Sequence, residues 1–175
     1  MTLIDPEKTP NYDYKIAVKE AELAGTTAIM VGGSTVVSGE EMDHAIQVIK
    51  STVKIPVIIF PNNLSSISRF ADAILFMSLL NSSNPYYIID SQAIGAPMVK
   101  RFGLEVLSMG YIIIGNGGAA GYIGQVRGIP YEHHELAVAY SVAAELFGMR
   151  YVYLEAGSGA QRPVPTDDRG SQKVF

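Results

Sequence analysis

The chain has 175 residues, a formal net charge of −4, no cysteine, and 48% hydrophobic against 17% charged residues. That is enough apolar material for one sizeable core; the charge excludes a basic nucleic-acid footprint, and the missing cysteines exclude a disulfide framework, a thiol nucleophile and a zinc–thiolate site. No run approaches the ~18 apolar residues that span a bilayer, and Met1 leads into a strand rather than a signal peptide, so a soluble, cytoplasmic protein is expected.

Thr2-Leu3-Ile4 reads as a first strand running into Asp5-Pro6. Tyr14 to Ala24 carries Ile16, Ala17, Ala21 and Ala24 at helical spacing and stops at Gly25, a residue suited to a left-handed cap. Ile29-Met30-Val31 is a second strand, followed by Gly32-Gly33-Ser34-Thr35. Ser38-Gly39-Glu40-Glu41 matches a capping box, and Met42, Ala45, Ile46 and Ile49 then form one apolar stripe that ends before Pro56. Val57 to Phe60 leads into Pro61-Asn62-Asn63, and Ile74 to Met77 leads into Ser78, Asn81 and Ser82.

From Asn84 to Phe102 the pattern is less regular. Tyr86-Tyr87-Ile88-Ile89 reads extended, Gly95-Ala96-Pro97 interrupts it, and only Met98 to Phe102 suggests a helical turn, so an irregular segment near the substrate is expected. Tyr111 to Ile114 is a fifth strand. The glycines from Gly115 to Gly128 lack a Lys-Ser or a G-x-G-x-x-G spacing and read as a long loop over a barrel mouth. His133-His134 is a solvated helix start rather than a metal pair, because neighbours i and i+1 do not face one another. Glu135 to Phe147 is a helix closed by Gly148, and Val152-Tyr153-Leu154 is a short buried strand.

Strands apolar on both faces are parallel strands covered by helices, and polar groups gathered at their C-terminal ends mark the active-site face of a β/α barrel. The expected fold is α/β, a TIM (β/α) barrel incomplete in this chain, with about six of eight strands where a full barrel takes about 250 residues. Residues 1–165 form the barrel domain and 166–175 a polar tail. The sheet edges left unpaired by two missing strands call for an assembly, a homo-oligomer, unless the sequence is an incomplete record of a longer protein.

The last strand carries the strongest chemical signal. It ends in Glu155 and enters Ala156-Gly157-Ser158-Gly159-Ala160, where small residues let several N–H groups converge on one anion beside a carboxylate able to act as general base. Taken alone, a plain glycine-rich turn beside a surface Glu fits the same residues.

DPEKT at 5–9, VGGST at 31–35, FPNN at 60–63, SLLNSSNPYYI at 78–88, IGNGG at 114–118 and YLEAGSGA at 153–160 occur in one chain. Together, and as far as Pro165, they resemble the geranylgeranylglyceryl phosphate synthase family. That resemblance implies a modified TIM barrel joining a prenyl diphosphate to sn-glycerol 1-phosphate with Mg²⁺, the first ether bond of archaeal membrane lipids. Its product implies peripheral membrane contact.

Carried over by position, the resemblance makes Asp5 a Mg²⁺ ligand with Ser34, and Thr35, near the same ion. It makes Tyr153, Leu154, Glu155, Ala156, Gly157, Ser158 and Gly159 the glycerol phosphate site, with Glu155 and Tyr153 catalytic. Asn81 stands either as a diphosphate contact or as a loop-turn residue. Phe60, Phe76, Tyr86, Tyr87 and Ile88 either line an apolar trench for the prenyl tail or pack as ordinary core. Two other readings stay open: another phosphate-binding β/α-barrel enzyme, and a catalytically impaired barrel acting as a structural or interaction module. The tail from Thr166 is unlike the family, and the family's phosphate loops after strands seven and eight are missing.

Overall fold

The computed structural model describes residues 1–8, 11–33, 38–157, 160 and 164, without the side chains of 11–13. In chain order the elements are β1 (Thr2–Ile4), α1 (Asn11–Leu23), β2 (Ile29–Val31), α2 (Gly39–Thr52), β3 (Val57–Ile59), β4 (Ala73–Leu79), α3 (Ser91–Phe102), β5 (Glu105–Ile113), α4 (Gly118–Ile123), α5 (His134–Leu146) and β6 (Tyr151–Glu155). A 3-10 turn, Leu64–Ser66, replaces a helix between β3 and β4. The strands are hydrogen-bonded in chain order, and the pairs β1–β2, β2–β3, β3–β4 and β5–β6 are parallel. Among the described residues this is α/β connectivity of the TIM-barrel kind with six of the eight strands, as the alternation of apolar runs requires.

The chain divides into two compact units, Met1–Phe76 with Ala93–Leu107, and Met77–Gln92 with Ser108–Phe175. In the first, Ile29, Val31, Val57, Ile59 and Ile74 from the strands pack with Val18 of α1 and Met42, Ile46 and Ile49 of α2. Each such side chain contributes roughly 1.5–3 kcal/mol on burial. The apolar stripe read for α2 is therefore its buried face. Ser38 starts that helix: its Oγ accepts the Glu41 N–H at 3.2 Å, and the Glu41 carboxylate accepts the Ser38 N–H at 3.1 Å. Past the end of α1, Gly25 has φ +89°, the left-handed conformation expected of a helix stop. The Asp72 carboxylate accepts the Val57 N–H at 2.8 Å and pairs with Lys50, tying the approach to β4 to the start of β3.

In the second unit Ile112, Ile114 and Ile129 form a buried cluster with Leu80, Tyr140, Val152 and Leu154 against it. Gly110 is required there, since a Cβ would lie 2.8 Å from Leu80 and 2.9 Å from the Ala144 methyl. His133 precedes α5 and its Nδ1 lies 2.8 Å from Glu135 Oε1 at the exposed helix start.

The structure corrects several expectations. Tyr86-Tyr87-Ile88-Ile89 is not extended: Tyr86–Asp90 forms a π-helical turn that continues into α3, and Pro97 lies inside that helix. Local capping outweighs the aromatic strand preference. Asn84 Oδ1 accepts the Tyr86 N–H at 2.9 Å, Pro85 is preset near helical φ, and the Ile88 carbonyl is taken by Ser78 Oγ at 2.6 Å. Gly95 does not break α3; its bare face sits on Leu64 and Ile67, where a Cβ would lie 3.1 and 3.2 Å from their methyls.

β5 begins six residues before Tyr111, at Glu105, because an exposed edge beginning Glu105-Val106 masks its strand pattern. Ser78 lies within β4 rather than after it. The stretch from Gly115 to Gly128 is not one loop: it contains α4, its Val126 bridges to Ser82, and an Ile114–Ile129 bridge closes its two ends. β6 is not buried, since Tyr151 and Tyr153 are exposed and its other residues half-buried. The tail from Thr166 lies outside the described residues.

Candidate active site

In the second unit β6 delivers Glu155 to the C-terminal end of the sheet, in register with Ile113 of β5, and the Glu155 carbonyl accepts the Ile114 N–H at 2.8 Å. Its carboxylate turns back on the loop and accepts the Gly157 N–H at 2.9 Å. Tyr153, two residues earlier on the same face, is hydrogen-bonded to the same carboxylate. Burial first, then the Glu155 charge and this bond, push the Tyr153 hydroxyl up to about 12. Tyr111, the β5 partner of Tyr153, has its ring centroid 5.6 Å away. Burial, followed by the charges of Glu155 and Tyr153, raises its hydroxyl further still. Both phenols therefore stay protonated at neutral pH, as donors beside a carboxylate.

Gly157 has φ +104°, and a Cβ there would lie 2.5 Å from the Gly117 carbonyl carbon and 2.8 Å from the Gly118 nitrogen. Glycine is thus needed twice over, for the turn and for the close approach to the start of α4. Tyr153, Leu154, Glu155, Ala156, Gly157, Ala160 and Val164 line an open cleft of about 350 Å³. Five of the seven residues expected at the glycerol phosphate site meet here; Ser158 and Gly159 lie outside the described residues. The expected cradle differs in one respect: the Gly157 N–H is turned to Glu155, so an incoming anion has to compete for it.

In the first unit Asp5 follows β1. Its Oδ1 accepts the Glu7 N–H at 3.2 Å and its Oδ2 lies 3.1 Å from Lys8 Nζ, an exposed lysine. Across the strand ends, a Cβ on Gly33 would lie 2.6 Å from Asp5 Oδ1, and one on Gly32 would lie 2.0 Å from the Phe60 carbonyl oxygen. The two glycines let β2 end against its neighbours and leave the place of a side chain to the Asp5 carboxylate. Tyr14 holds the turn after Asp5 by donating to the Pro6 carbonyl at 2.6 Å. Ser34 and Thr35 lie outside the described residues. Among those described, no group of three or more His, Cys, Asp or Glu is placed to hold a metal. Asp5 thus offers one oxygen ligand, which fits an ion carried largely by substrate phosphates and water rather than a protein cage.

The remaining candidates separate. Asn81 is buried, and both its amide hydrogens are spent on backbone carbonyls, at 2.9 Å to Ile113 and 3.0 Å to Arg127, so it has no donor left for a diphosphate. Phe76 packs against the core of the first unit and Phe60 is half-buried beside Gly32. Tyr86 is exposed with its ring edge-on to Tyr87 at 5.2 Å, and Ile88 is half-buried. Sequence reading missed Tyr111 and Lys8. A lone Tyr opening an all-aliphatic run was the available signal for the first, and the DPEKT spacing for the second.

The PcrB family model matches residues 1–174. The geranylgeranylglyceryl phosphate synthase of Methanobrevibacter smithii is 47% identical over 173 residues, covering 98% of this chain and 68% of that protein. The synthase of Thermofilum pendens is 52% identical over 94% of this chain and 64% of its own length. Among solved structures, (S)-3-O-geranylgeranylglyceryl phosphate synthase from Thermoplasma acidophilum, in complex with its substrate sn-glycerol-1-phosphate, is 43% identical with a TM-score of 0.89, over 94% of this chain and 67% of that one. Wild-type GGGPS from Thermoplasma volcanium is 42% identical with a TM-score of 0.90, over 94% and 66%. The chain spans about two thirds of the length of these relatives. With a family match over residues 1–174 and relatives 47% and 52% identical over nearly all of its length, this chain belongs to the PcrB family.

Proposed function

We propose that this chain is a prenyltransferase that joins geranylgeranyl diphosphate, or a similar prenyl diphosphate, to sn-glycerol 1-phosphate with release of diphosphate, in archaeal ether-lipid synthesis. One observation carries the reading. A carboxylate held by a tyrosine hydroxyl and a loop N–H faces an open cleft, in a chain 43% identical to a synthase solved with sn-glycerol-1-phosphate.

The phosphate of the acceptor takes the Gly157 N–H, and the Glu155 carboxylate, an anion already in that place, gives it up. Glu155 is then free to receive the proton of the attacking glycerol hydroxyl as the new C–O bond forms at the allylic carbon. The bond to diphosphate breaks and its electron pair leaves with the diphosphate. Tyr153, neutral at working pH, orients Glu155 and the glycerol hydroxyl; Tyr111 packs behind it. General-base assistance of this kind contributes roughly 10²- to 10⁴-fold.

Mg²⁺ would be held by Asp5, with Ser34 and Thr35 proposed as further oxygens for it, and would supply charge neutralisation of the departing diphosphate. The carboxylate fits, since Mg²⁺ takes one or two protein oxygens and completes its shell with phosphates and water. Tyr86, Tyr87 and Ile88 are the residues proposed to meet the prenyl chain. The reading further includes a homo-oligomer, supported by Leu146 and Phe147 at the end of α5, which are 81% and 75% exposed. It also includes a cytoplasmic reaction whose product enters a membrane; among the described residues no helix is long and apolar enough to cross one.

The test is an assay with Mg²⁺, sn-glycerol 1-phosphate and prenyl diphosphates of several lengths. Release of diphosphate that depends on the glycerol phosphate is expected. Turnover of a phosphorylated sugar with no prenyl donor would replace the reading by another barrel chemistry.

A further inference from the structure

Two residues past β4, Asn81 uses its side chain as a piece of backbone. Nδ2 donates to the Ile113 carbonyl at 2.9 Å and to the Arg127 carbonyl at 3.0 Å, and Oδ1 accepts the Ile113 N–H at 3.1 Å. Its own carbonyl accepts the Arg127 N–H at 2.9 Å. Ile113 is the β5 residue in register with Glu155. Asn81 therefore grips the residue that stands opposite the candidate base.

The other arm reaches the same turn from the far side. Ser82 Oγ donates to the Gly124 carbonyl at 2.6 Å, and Ser83 donates to the Gln125 carbonyl through its N–H at 2.9 Å and its Oγ at 2.7 Å. Gln125 has φ +50°, and a non-glycine residue keeps that conformation only where its surroundings over-determine it. The segment so held follows α4, and α4 starts at Gly118 after its cap Gly117, the backbone against which Gly157 is seated. Ile113, opposite Glu155, and the far end of α4, whose first turn backs Gly157, are thus both tied to the Asn81–Ser83 segment.

We infer that Asn81 is a positioning residue for the acceptor-phosphate turn, acting through Ile113 and Arg127 and touching neither substrate; this rests on the function proposed above. The chemistry requires the amide. An aspartate would set a carboxylate against two carbonyls, an alanine would remove all three bonds and leave the Ile113 carbonyl only the Ile129 N–H at 3.1 Å, and a glutamine is one methylene too long.

The experiment is calorimetric titration of the whole chain with sn-glycerol 1-phosphate and, separately, with a prenyl diphosphate, for the parent and Asn81→Ala, with circular dichroism showing each folded at the working temperature. Expected is a loss of glycerol phosphate affinity of up to about 10²-fold, the scale of a small misplacement, with prenyl diphosphate affinity as in the parent. Unchanged glycerol phosphate affinity overturns the inference. So does a loss confined to the prenyl diphosphate, which would make Asn81 a diphosphate contact after all. Should Asn81→Ala not fold, Ser83→Ala removes one exposed bond of the same clamp. A few-fold loss on glycerol phosphate alone supports the inference, and no change overturns it. A parent that binds no glycerol phosphate overturns the proposed function itself, and the inference with it, before any substitution is compared.

Discussion

The Glu155 carboxylate accepts the Gly157 N–H at 2.9 Å, so the candidate base and the candidate phosphate donor occupy one another. In the proposed reaction, substrate and base compete for this one N–H group, so acceptor binding would be coupled to release of the base. A carboxylate that stays hydrogen-bonded is a poorer proton acceptor than one set free. The arrangement gives separate roles to two neighbouring residues, and they are separable by substitution.

Glu155→Gln keeps an oxygen for the Gly157 N–H and removes the base. Binding of sn-glycerol 1-phosphate should survive while kcat falls by roughly 10²- to 10⁴-fold. Gly157→Val should do the reverse of the first part. Its Cβ would sit 2.5 Å from the Gly117 carbonyl carbon at φ +104°, and binding should be lost. Calorimetry on both variants decides, and a Gly157→Val protein that binds as the parent does reduces the loop to a plain turn.

Asp5→Asn keeps an acceptor for the Glu7 N–H but loses the charge that pairs with Lys8. The fold should persist, and a pair whose lysine is 64% exposed is worth about 1 kcal/mol or less. Most of the activity should disappear, more so at limiting Mg²⁺. Normal turnover at limiting Mg²⁺ would remove Asp5 from the metal shell.

The tyrosine pair sets an alkaline limit. Tyr153 rises from 10.0 to about 12 and Tyr111 moves in the same direction, so the folded state holds protons that the unfolded state releases. Their contribution to stability is fully present below pH 10 and is lost as pH climbs through about 12. Solvent screening at Tyr153, 36% exposed, tempers its share. Urea unfolding between pH 8 and pH 11 should show a steeper alkaline decline in the parent than in a Tyr111→Phe, Tyr153→Phe double variant; parallel declines would exclude the pair as the cause.

Leu136, Val138 and Val142 of α5 are partly exposed as well, beside the more open Leu146 and Phe147. Burying such a face contributes roughly 25 cal/mol per Å². Light scattering at micromolar concentration should give a mass above the 18.9 kDa of one chain. Leu146→Glu with Phe147→Glu should shift that mass downward, and a stable monomer of the parent would end the assembly proposal.

Local rules decided much of this protein from its sequence. The capping box at Ser38 and Glu41, the stripe Met42, Ala45, Ile46 and Ile49, and the stop at Gly25 each depend on residues within a few positions of one another, and each is present in the structure. The apolar runs ending in Asp5, Gly33 and Glu155 likewise announced parallel strands, and these pair in parallel. Tertiary structure decided what adjacency in sequence cannot carry. Asn81 reads from sequence as either a diphosphate contact or a loop-turn residue, because its partners, Ile113 and Arg127, lie 32 and 46 positions away. The Tyr86–Asp90 turn, capped locally by Asn84, is also held by Ser78 of β4, which donates to the Ile88 carbonyl ten positions away. Tyr111 joins the site only through the register that sets it beside Tyr153. In each case a buried backbone group had to find a partner, or two side chains a common face, and that pairing exists only once distant strands have come together.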